Sequence, residues 1–231
     1  MAEFFIPGDP PIPVFSRRSG RAKRISLRIS QLDGRVTLTL PPHLSQCQAR
    51  SFAHSKVDWI KKHLAARNPD VFVQCGTQVP VLGQSMRIVA GQGKQISVRG
   101  AEIVVPGAEE DVAARVQAYL KHLARDRLAK ASDDYASQLG KSYTRLTLRD
   151  TRSRWGSCSS SGALMFSWRL IMAPPEVMAY VAAHEVAHLS EMNHSSAFWS
   201  KVEQLYGPYH SERTWLREHG ATLHRYRFER A

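Results

Sequence analysis

The most informative segment of this chain is PPEVMAYVAAHEVAHL, which runs from Pro174 to Leu189. Its two prolines suit the first turn of a helix, and the acidic Glu176 favours the positive end of that helix. Apolar residues then recur at helical spacing on two neighbouring stripes, one of which also holds His184 and His188. The stretch therefore predicts a largely buried helix that carries two histidines on one face.

The string HEVAH within this helix has the spacing of a metal site. Residues four apart lie on one face of a helix, so His184 and His188 can reach the same ion. Buried imidazoles need partners for their nitrogens, and catalytic zinc takes three protein ligands and keeps one open position. Glu185 can accept a proton from a water molecule at that position. The string predicts a zinc site with Glu185 as general base.

A third ligand is expected shortly after this helix. His194 lies six residues beyond His188, and a continuous helix would point its side chain in another direction. The helix must therefore end first. Asn193 tolerates the left-handed conformation that ends helices, and Ser195 can cap a following helix.

The complete spacing is that of the metzincins, but Glu191 stands where that group has glycine, and no methionine-containing turn follows. Membership of that group is therefore not expected. His194 is the expected third ligand because it is close, and Glu203 and Glu212 are the alternatives.

Composition and charge indicate a folded protein with an anionic partner. The chain has 231 residues, 43% of them hydrophobic, and a net charge of +12 from 32 basic and 20 acidic residues. That charge favours a nucleic acid, a nucleotide, a phosphorylated substrate or an acidic surface. The three cysteines form no C-x-x-C pair, and neither a signal-peptide pattern nor a membrane-length apolar run is present. We expect a cytoplasmic protein that does not enter a membrane.

The pattern changes twice along the chain. Residues 1–24 are rich in proline and end in basic residues, so they are expected to form a basic arm. Residues 25–106 alternate like short strands, with a hairpin around Asp33-Gly34 and a helix from Ser45 to about Arg67. Residues 108–231 form a second domain, which contains the metal site.

Within this second domain a long helix is predicted over residues 109–139, ended by Gly140. A strand that carries Leu146 and Leu148 follows, and a second strand is predicted over residues 163–171. The intervening RWGSCSSSG is expected to be an exposed turn. The edge of this strand pair could hold an extended substrate by strand addition.

Several blocks of sequence resemble one family. They are SRWGSCS at residues 153–159, PPxVxxYVxxHExxHL at 174–189 and NHSxxFW at 193–199, with WIxKxL at 59–64 and YxxxxxWL at 209–216. In this order they resemble the YgjP-like metal-dependent hydrolase family, which is related to the WLM and SprT-type zinc metallopeptidases. The resemblance implies an α+β fold, in which a zincin-like metallopeptidase domain follows an N-terminal β-rich subdomain. It also implies a zinc ion held by His184, His188 and His194, with Glu185 as general base.

Five further residues are candidates for substrate binding: Arg152, Arg154, Trp155, Arg169 and Tyr180. The arginines precede the metal motif, Trp155 belongs to the SRWGSCS block, and Tyr180 lies one turn before His184. For Trp155 and Tyr180 the alternative is a purely structural role in packing.

Three functions remain open from the sequence. The first is hydrolysis of a peptide bond, which the fold resemblance favours. The second is a nucleotide pyrophosphatase acting on nucleoside triphosphates, because guanidinium groups bind phosphate well and arginines cluster before the motif. The third is a nucleic-acid-binding protein with structural zinc, which requires a closed site of four ligands.

Overall fold

The computed structural model describes residues 2–30, 32–66 and 68–229. The chain folds as two compact units, Met1–Pro69 and Asp70–Ala231. The division differs from the expected boundary near residue 107, because strand residues such as Val79 and Ile103 share one apolar core with the long helix that follows them. Mixed helices and sheets confirm the α+β class.

The first unit combines a four-stranded sheet with two helices. Its strands are β1 (Ala2–Ile6), β2 (Ile12–Arg18), β3 (Ser26–Ile29) and β4 (Val36–Leu40), in the order β1-β2-β4-β3. β1 and β2 are antiparallel, β2 and β4 are parallel, and β3 and β4 form the expected antiparallel hairpin. Helices α1 (Gln46–His54) and α2 (Val57–Ala65) pack against this sheet.

The segment expected to be a basic arm contains β1 and β2 instead. Phe4, Ile6 and Val14 are buried in the core of the first unit, because alternate residues of a strand point to one face. Arg17 and Arg18, at the end of β2, are exposed. The basic residues Arg17 and Arg18 are thus exposed at the end of an ordered strand rather than in a flexible arm.

The helix expected from Ser45 is confirmed at its beginning but is interrupted. The Ser45 hydroxyl accepts a hydrogen bond from the Gln48 backbone N–H, and the Gln48 side chain accepts one from the Ser45 backbone N–H. α1 ends at His54 and α2 begins at Val57. The predicted end near Arg67 lies outside the described residues.

The second unit begins with short strands that agree with the expected pattern. They are β5 (Val71–Phe72), β6 (Gln78–Val81), β7 (Gln84–Gly91), β8 (Ser97–Arg99) and β9 (Glu102–Pro106). The last four form a sheet in the order β6-β7-β9-β8. A 3₁₀ turn at Glu109–Asp111 leads into α3 (Val112–Leu139), which ends at Gly140 in the left-handed conformation with φ 64°.

A three-stranded sheet precedes the metal motif. It consists of β10 (Arg145–Arg149), β11 (Gly156–Cys158) and β12 (Ala163–Ser167), in the order β10-β12-β11. β12 is parallel to β10 and antiparallel to β11. The sequence expectation was wrong in two respects: part of RWGSCSSSG is a strand, and the strand predicted over residues 163–171 gives way to a 3₁₀ turn at Trp168–Met172.

Helix α4 (Pro175–Ala187) follows this turn, and α5 (Ser196–Tyr206) and α6 (His210–His219) complete the helical layer. α4 packs against α3, α5, α6 and the strand β11. After a 3₁₀ turn at Gly220–Arg225, β13 (Tyr226–Arg227) pairs with β5 in parallel. No helix in the described ranges is both long and apolar enough to cross a membrane.

A buried arginine ties the turn before α4 to the end of the chain. The Arg169 guanidinium donates to both carboxylate oxygens of Asp150, at 2.7 and 3.0 Å, and to the backbone carbonyls of Leu223 and Tyr226, each at 3.0 Å. The Arg169 guanidinium also holds the pKa of Asp150 below its ordinary value, against the opposing effect of burial. These contacts fix where α4 begins relative to the sheet.

Replacing Asp150 by Ala should destabilise the second unit. The change leaves the buried Arg169 guanidinium without its carboxylate partner. We expect the free energy of unfolding to fall by about 2 kcal/mol. The loss is no larger because the Asp150 side chain is 44% exposed, so water already screens part of the interaction. Urea denaturation measures it as a lower midpoint at an unchanged slope. Glu218→Ala, which removes an exposed pair with Arg217, is the control and should change little. Equal effects of the two substitutions would contradict this role for Asp150.

Candidate metal centre

Helix α4 presents two histidines from a helix that is buried along most of its length. Nine of its thirteen residues are buried, and they include Val181, Ala183 and Val186. His184 lies in its last turn, and His188 is the residue that ends it. The predicted buried helix is therefore present, but it ends six residues before the expected stop at Asn193.

The early end of α4 gives His188 a defined orientation. The Glu191 backbone N–H donates to the Ala187 carbonyl at 3.1 Å, which closes one further turn of the chain after α4. The Glu191 carbonyl in turn lies 2.9 Å from His188 Nδ1. Because a carbonyl only accepts, Nδ1 carries the proton and Nε2 keeps its lone pair for a metal ion.

Asn193 and Ser195 then bring His194 to the end of α4. The Ser195 backbone N–H donates to the Asn193 side-chain oxygen at 3.0 Å. The Ser195 hydroxyl accepts from the Phe198 backbone N–H at 3.4 Å and caps α5, as expected. Asn193 therefore acts as a turn residue between the two helices, and His194 stands beside His184.

The three imidazoles converge on one point. His184 Nε2 and His194 Nε2 lie 3.1 Å apart, and the ligand atoms of His184, His188 and His194 all lie within 4.8 Å of one another. Nitrogens bound about 2.0–2.1 Å from a tetrahedral zinc ion are about 3.3 Å apart. The separation of the His184 and His194 nitrogens thus fits a shared ion.

Burial favours the neutral, metal-binding form of His184 and His188. Burial, and then the neighbouring His188, His194 and Arg213, lower the pKa of His184 to about 3. Burial also lowers the pKa of His188, although its hydrogen bond to the Glu191 carbonyl opposes that effect. Neutral imidazoles are the ligands that zinc requires.

Glu185 points from α4 towards strand β11. It is 6% exposed, and burial raises its pKa to about 8 despite the Arg154 charge and a hydrogen bond with the Cys158 backbone, which both lower it. A β-carbon added to Gly156 would lie 2.5 Å from both Cγ and Oε1 of Glu185. Glycine at this position therefore lets the strand approach the carboxylate.

Aromatic rings surround the histidines. Phe198 stacks on His188 with ring centres 4.4 Å apart, and Trp199 stacks on His194 at 5.7 Å. Tyr180 meets His184 edge-on at 6.0 Å and is 5% exposed, and burial raises the pKa of its hydroxyl to about 12. These rings limit the movement of the imidazoles and exclude water from one side of the group.

The predicted substrate-binding residues occupy different places. Arg154 is exposed, and its charge acts to lower the pKa of Glu185. The charge of Arg152 acts instead to lower the pKa of His224. Arg169 is buried, and its guanidinium donates hydrogen bonds to the Asp150 carboxylate and to backbone carbonyls near the end of the chain. Trp155 packs against Gly220 and His224. Tyr180 lies beside His184, as its position one turn earlier indicates.

The alternative ligands Glu203 and Glu212 do not join the three histidines within the described ranges. Glu203 is exposed on α5, and the Glu212 carboxylate accepts a hydrogen bond from the Ser211 hydroxyl. Sequence reasoning also missed Gly156 and the Cys158 backbone as neighbours of Glu185. The SRWGSCS block was the available signal, but its strand was interpreted as a turn.

Over residues 23–219 the chain matches the YgjP-like metallopeptidase domain. The protein belongs to this family. The YgjP-like family assignment supports a metal-dependent hydrolase, and His184, His188 and His194 form a group that could hold a metal ion. The match also confirms the family resemblance and the metallopeptidase fold that the sequence blocks implied.

Two further comparisons add little to the family assignment. This YgjP-like chain is similar to a structure described as the metallopeptidase zymogen of Pyrococcus abyssi abylysin, with 22% identity and a TM-score of 0.34. The alignment covers 42% of this chain and 95% of the other. No curated protein matches the chain.

Gly156→Ala should impair hydrolysis without removing the metal site. The new methyl group would overlap Glu185, so either the carboxylate or the strand must move. We expect kcat to fall at least about tenfold, because small displacements of a catalytic group are costly. Bound metal, measured by mass spectrometry of the purified protein, should stay the same. Gly20→Ala, where the added carbon meets nothing within 4 Å, is the control.

Proposed function

We propose that this protein is a zinc-dependent peptidase in which His184, His188 and His194 hold the ion and Glu185 is the general base. The observation that carries the proposal is the convergence of three imidazole nitrogens beside a buried carboxylate on the same helix. Three histidines without a fourth ligand in the described ranges are typical of a catalytic zinc site with an open position. A closed structural site, which the nucleic-acid-binding alternative requires, would need one more.

Each residue has a role that follows from its position. The three histidines present ring nitrogens to one point, and the Glu191 carbonyl fixes the His188 ring. When bound there, zinc supplies Lewis acidity, which acidifies water and polarises a carbonyl group. Glu185 is placed to take a proton from the attacking water and to return it to the leaving amine.

Strand β11 supports a peptide as the substrate. It lies at one edge of its sheet, and Glu185 contacts it through the Cys158 backbone. An extended peptide can add to such an edge by backbone hydrogen bonds, which places a backbone carbonyl near the base. The family of metallopeptidase domains favours the same substrate class.

Nucleoside triphosphates are the second candidate substrate. Arg145, Arg149 and Arg154 line one cavity of about 450 Å³ beside β11, and guanidinium groups bind phosphate oxygens in pairs. In this alternative the same histidines and Glu185 would act on a phosphoanhydride bond. The two candidates share the metal centre and differ only in the bond that is broken.

The cellular setting is part of the proposal. Cys47, Cys75 and Cys158 are free thiols, and Cys47 is exposed. We infer a reducing compartment such as the cytoplasm, where such thiols persist. The net charge of +12 would favour an anionic partner there.

The third ligand can be identified by metal titration. We expect His194→Ala to weaken zinc binding more than about 100-fold, because changes at supporting residues alone cost 10–100-fold. Glu203→Ala and Glu212→Ala should leave zinc affinity unchanged. Competition with a coloured chelator measures the affinities. A loss of affinity in either glutamate variant, with none in the His194 variant, would reverse the assignment.

The role of Glu185 and the bond cleaved can be tested together. Zinc-loaded protein is incubated separately with a proteome-derived peptide library and with nucleoside triphosphates. We expect peptide cleavage, detected by mass spectrometry, to fall by about 10²- to 10⁴-fold in Glu185→Gln while the metal content is retained. Glu203→Gln, a glutamate change outside the site, is the control. Pyrophosphate release that depends on Glu185, without peptide cleavage, would replace the peptidase with the nucleotide enzyme.

A further inference from the structure

The two faces of the β10-β12-β11 sheet have different characters. Leu146, Leu164 and Phe166 are buried on the face that joins the core of the second unit. The register aligns Arg145 with Ala163, and Thr147 with Met165 and Ser157, on the opposite face. One face therefore packs against the core, and the other remains polar and open.

The open face carries a cavity of about 450 Å³. Its lining includes Arg145, Thr147 and Arg149 from β10, Ser157 from β11, and Arg154 from the loop before β11. Arg145, Arg149 and Arg154 are exposed. The hydroxyl groups of Thr147 and Ser157 add neutral hydrogen-bonding groups between the charges.

The charges in this cavity are not neutralised within the described ranges. No carboxylate lies within ion-pair distance of Arg145, Arg149 or Arg154 there, in contrast to Arg169, which is paired with Asp150. No acidic residue lines the cavity. Cationic groups gathered without a counter-charge create a positive potential that attracts an anionic ligand.

The cavity adjoins the metal centre through β11 and Arg154. Arg154 lines the cavity, and its charge also lowers the pKa of Glu185. Ser157 and Cys158 both line the cavity, while Gly156 and the Cys158 backbone lie against Glu185. A ligand bound along the free edge of β11 can therefore reach both places.

We propose that Arg145, Arg149 and Arg154 form a specificity subsite for an acidic side chain, Asp or Glu, of a peptide bound along β11. This inference rests on the proposed peptidase function and names its substrate class. Successive side chains of an extended peptide point to opposite faces, so one can enter the cavity while the adjacent carbonyl remains near Glu185. A carboxylate there would receive charge-assisted hydrogen bonds from the arginines.

An extended peptide fits this arrangement better than a nucleotide does. β11 borders both the arginine-lined cavity and Glu185, so an extended peptide paired with the edge of this strand can contact both places. A phosphate bound by the arginines would have to be near the histidines as well for its own anhydride bond to be cleaved. Hydrolysis of nucleoside triphosphates is therefore the alternative result that the experiment must be able to detect.

The test begins with cleavage sites in a proteome-derived peptide library, digested by the zinc-loaded full chain. We expect Asp or Glu to be enriched at one position close to the cleaved bond. Two synthetic peptides from such a site, identical except for Glu or Gln at that position, then give a ratio of kcat/KM. In the Arg145→Gln/Arg149→Gln double variant this ratio should fall at least about tenfold, chiefly through KM.

Two further measurements separate a charge effect from a structural one. Arg149→Glu should shift the preference from a glutamate peptide towards its lysine counterpart, because the sign of the charge is reversed. Raising the salt concentration should lower the wild-type ratio, since the cavity is open to solvent. Arg99→Gln, at an exposed arginine on β8 outside the cavity, should leave the ratio unchanged.

The outcomes distinguish this inference from the function on which it rests. Peptide cleavage without an acidic preference, or a preference that survives in the double variant, would overturn the subsite and leave the peptidase intact. Hydrolysis of nucleoside triphosphates alone, lost in Glu185→Gln, would overturn both. Zinc binding at the histidines without hydrolysis of either substrate class would also overturn both.

Discussion

The burial of α4 is the constraint on which the rest of the site depends. A helix surrounded by α3, α5, α6 and β11 has little solvent to satisfy polar side chains, yet it carries His184 and Glu185. Burial lowers the pKa of the imidazole and raises that of the carboxylate, so both are uncharged more readily than in water. A cation shared by three imidazoles would relieve this cost, and the 3.1 Å approach of two Nε2 atoms is consistent with such sharing.

The neighbouring elements hold the helix end and the carboxylate in place. The Glu191 carbonyl orients His188, and the capped start of α5 brings His194 and Phe198 back to the same point. On the other side, Gly156 allows β11 to approach Glu185 closely. Local backbone geometry therefore supplies the precision that the proposed chemistry needs.

Strand β11 links the proposed chemistry with the proposed selectivity. Ser157 lines the arginine-lined cavity, whereas Gly156 lies against Glu185, to which the Cys158 backbone is also hydrogen-bonded. The short strand β11 therefore lies between the buried Glu185 and the exposed arginines of the cavity. Arg145 and Arg149 are part of the basic surplus of the chain, and their charges have no carboxylate partner among the described residues.

Local spacing and local hydrogen bonds specify the α4 helix, its two histidines, the cap at Ser45 and the end of α3 at Gly140, so these features could be predicted from the sequence. The placement of β1 in a sheet, the strand within RWGSCSSSG and the pairing of Arg169 with Asp150 became evident only in the folded chain. Each of these features depends on contacts with residues outside its own segment. A short strand or a buried ion pair is stabilised by what packs against it, and the residues of that segment alone do not specify the partner.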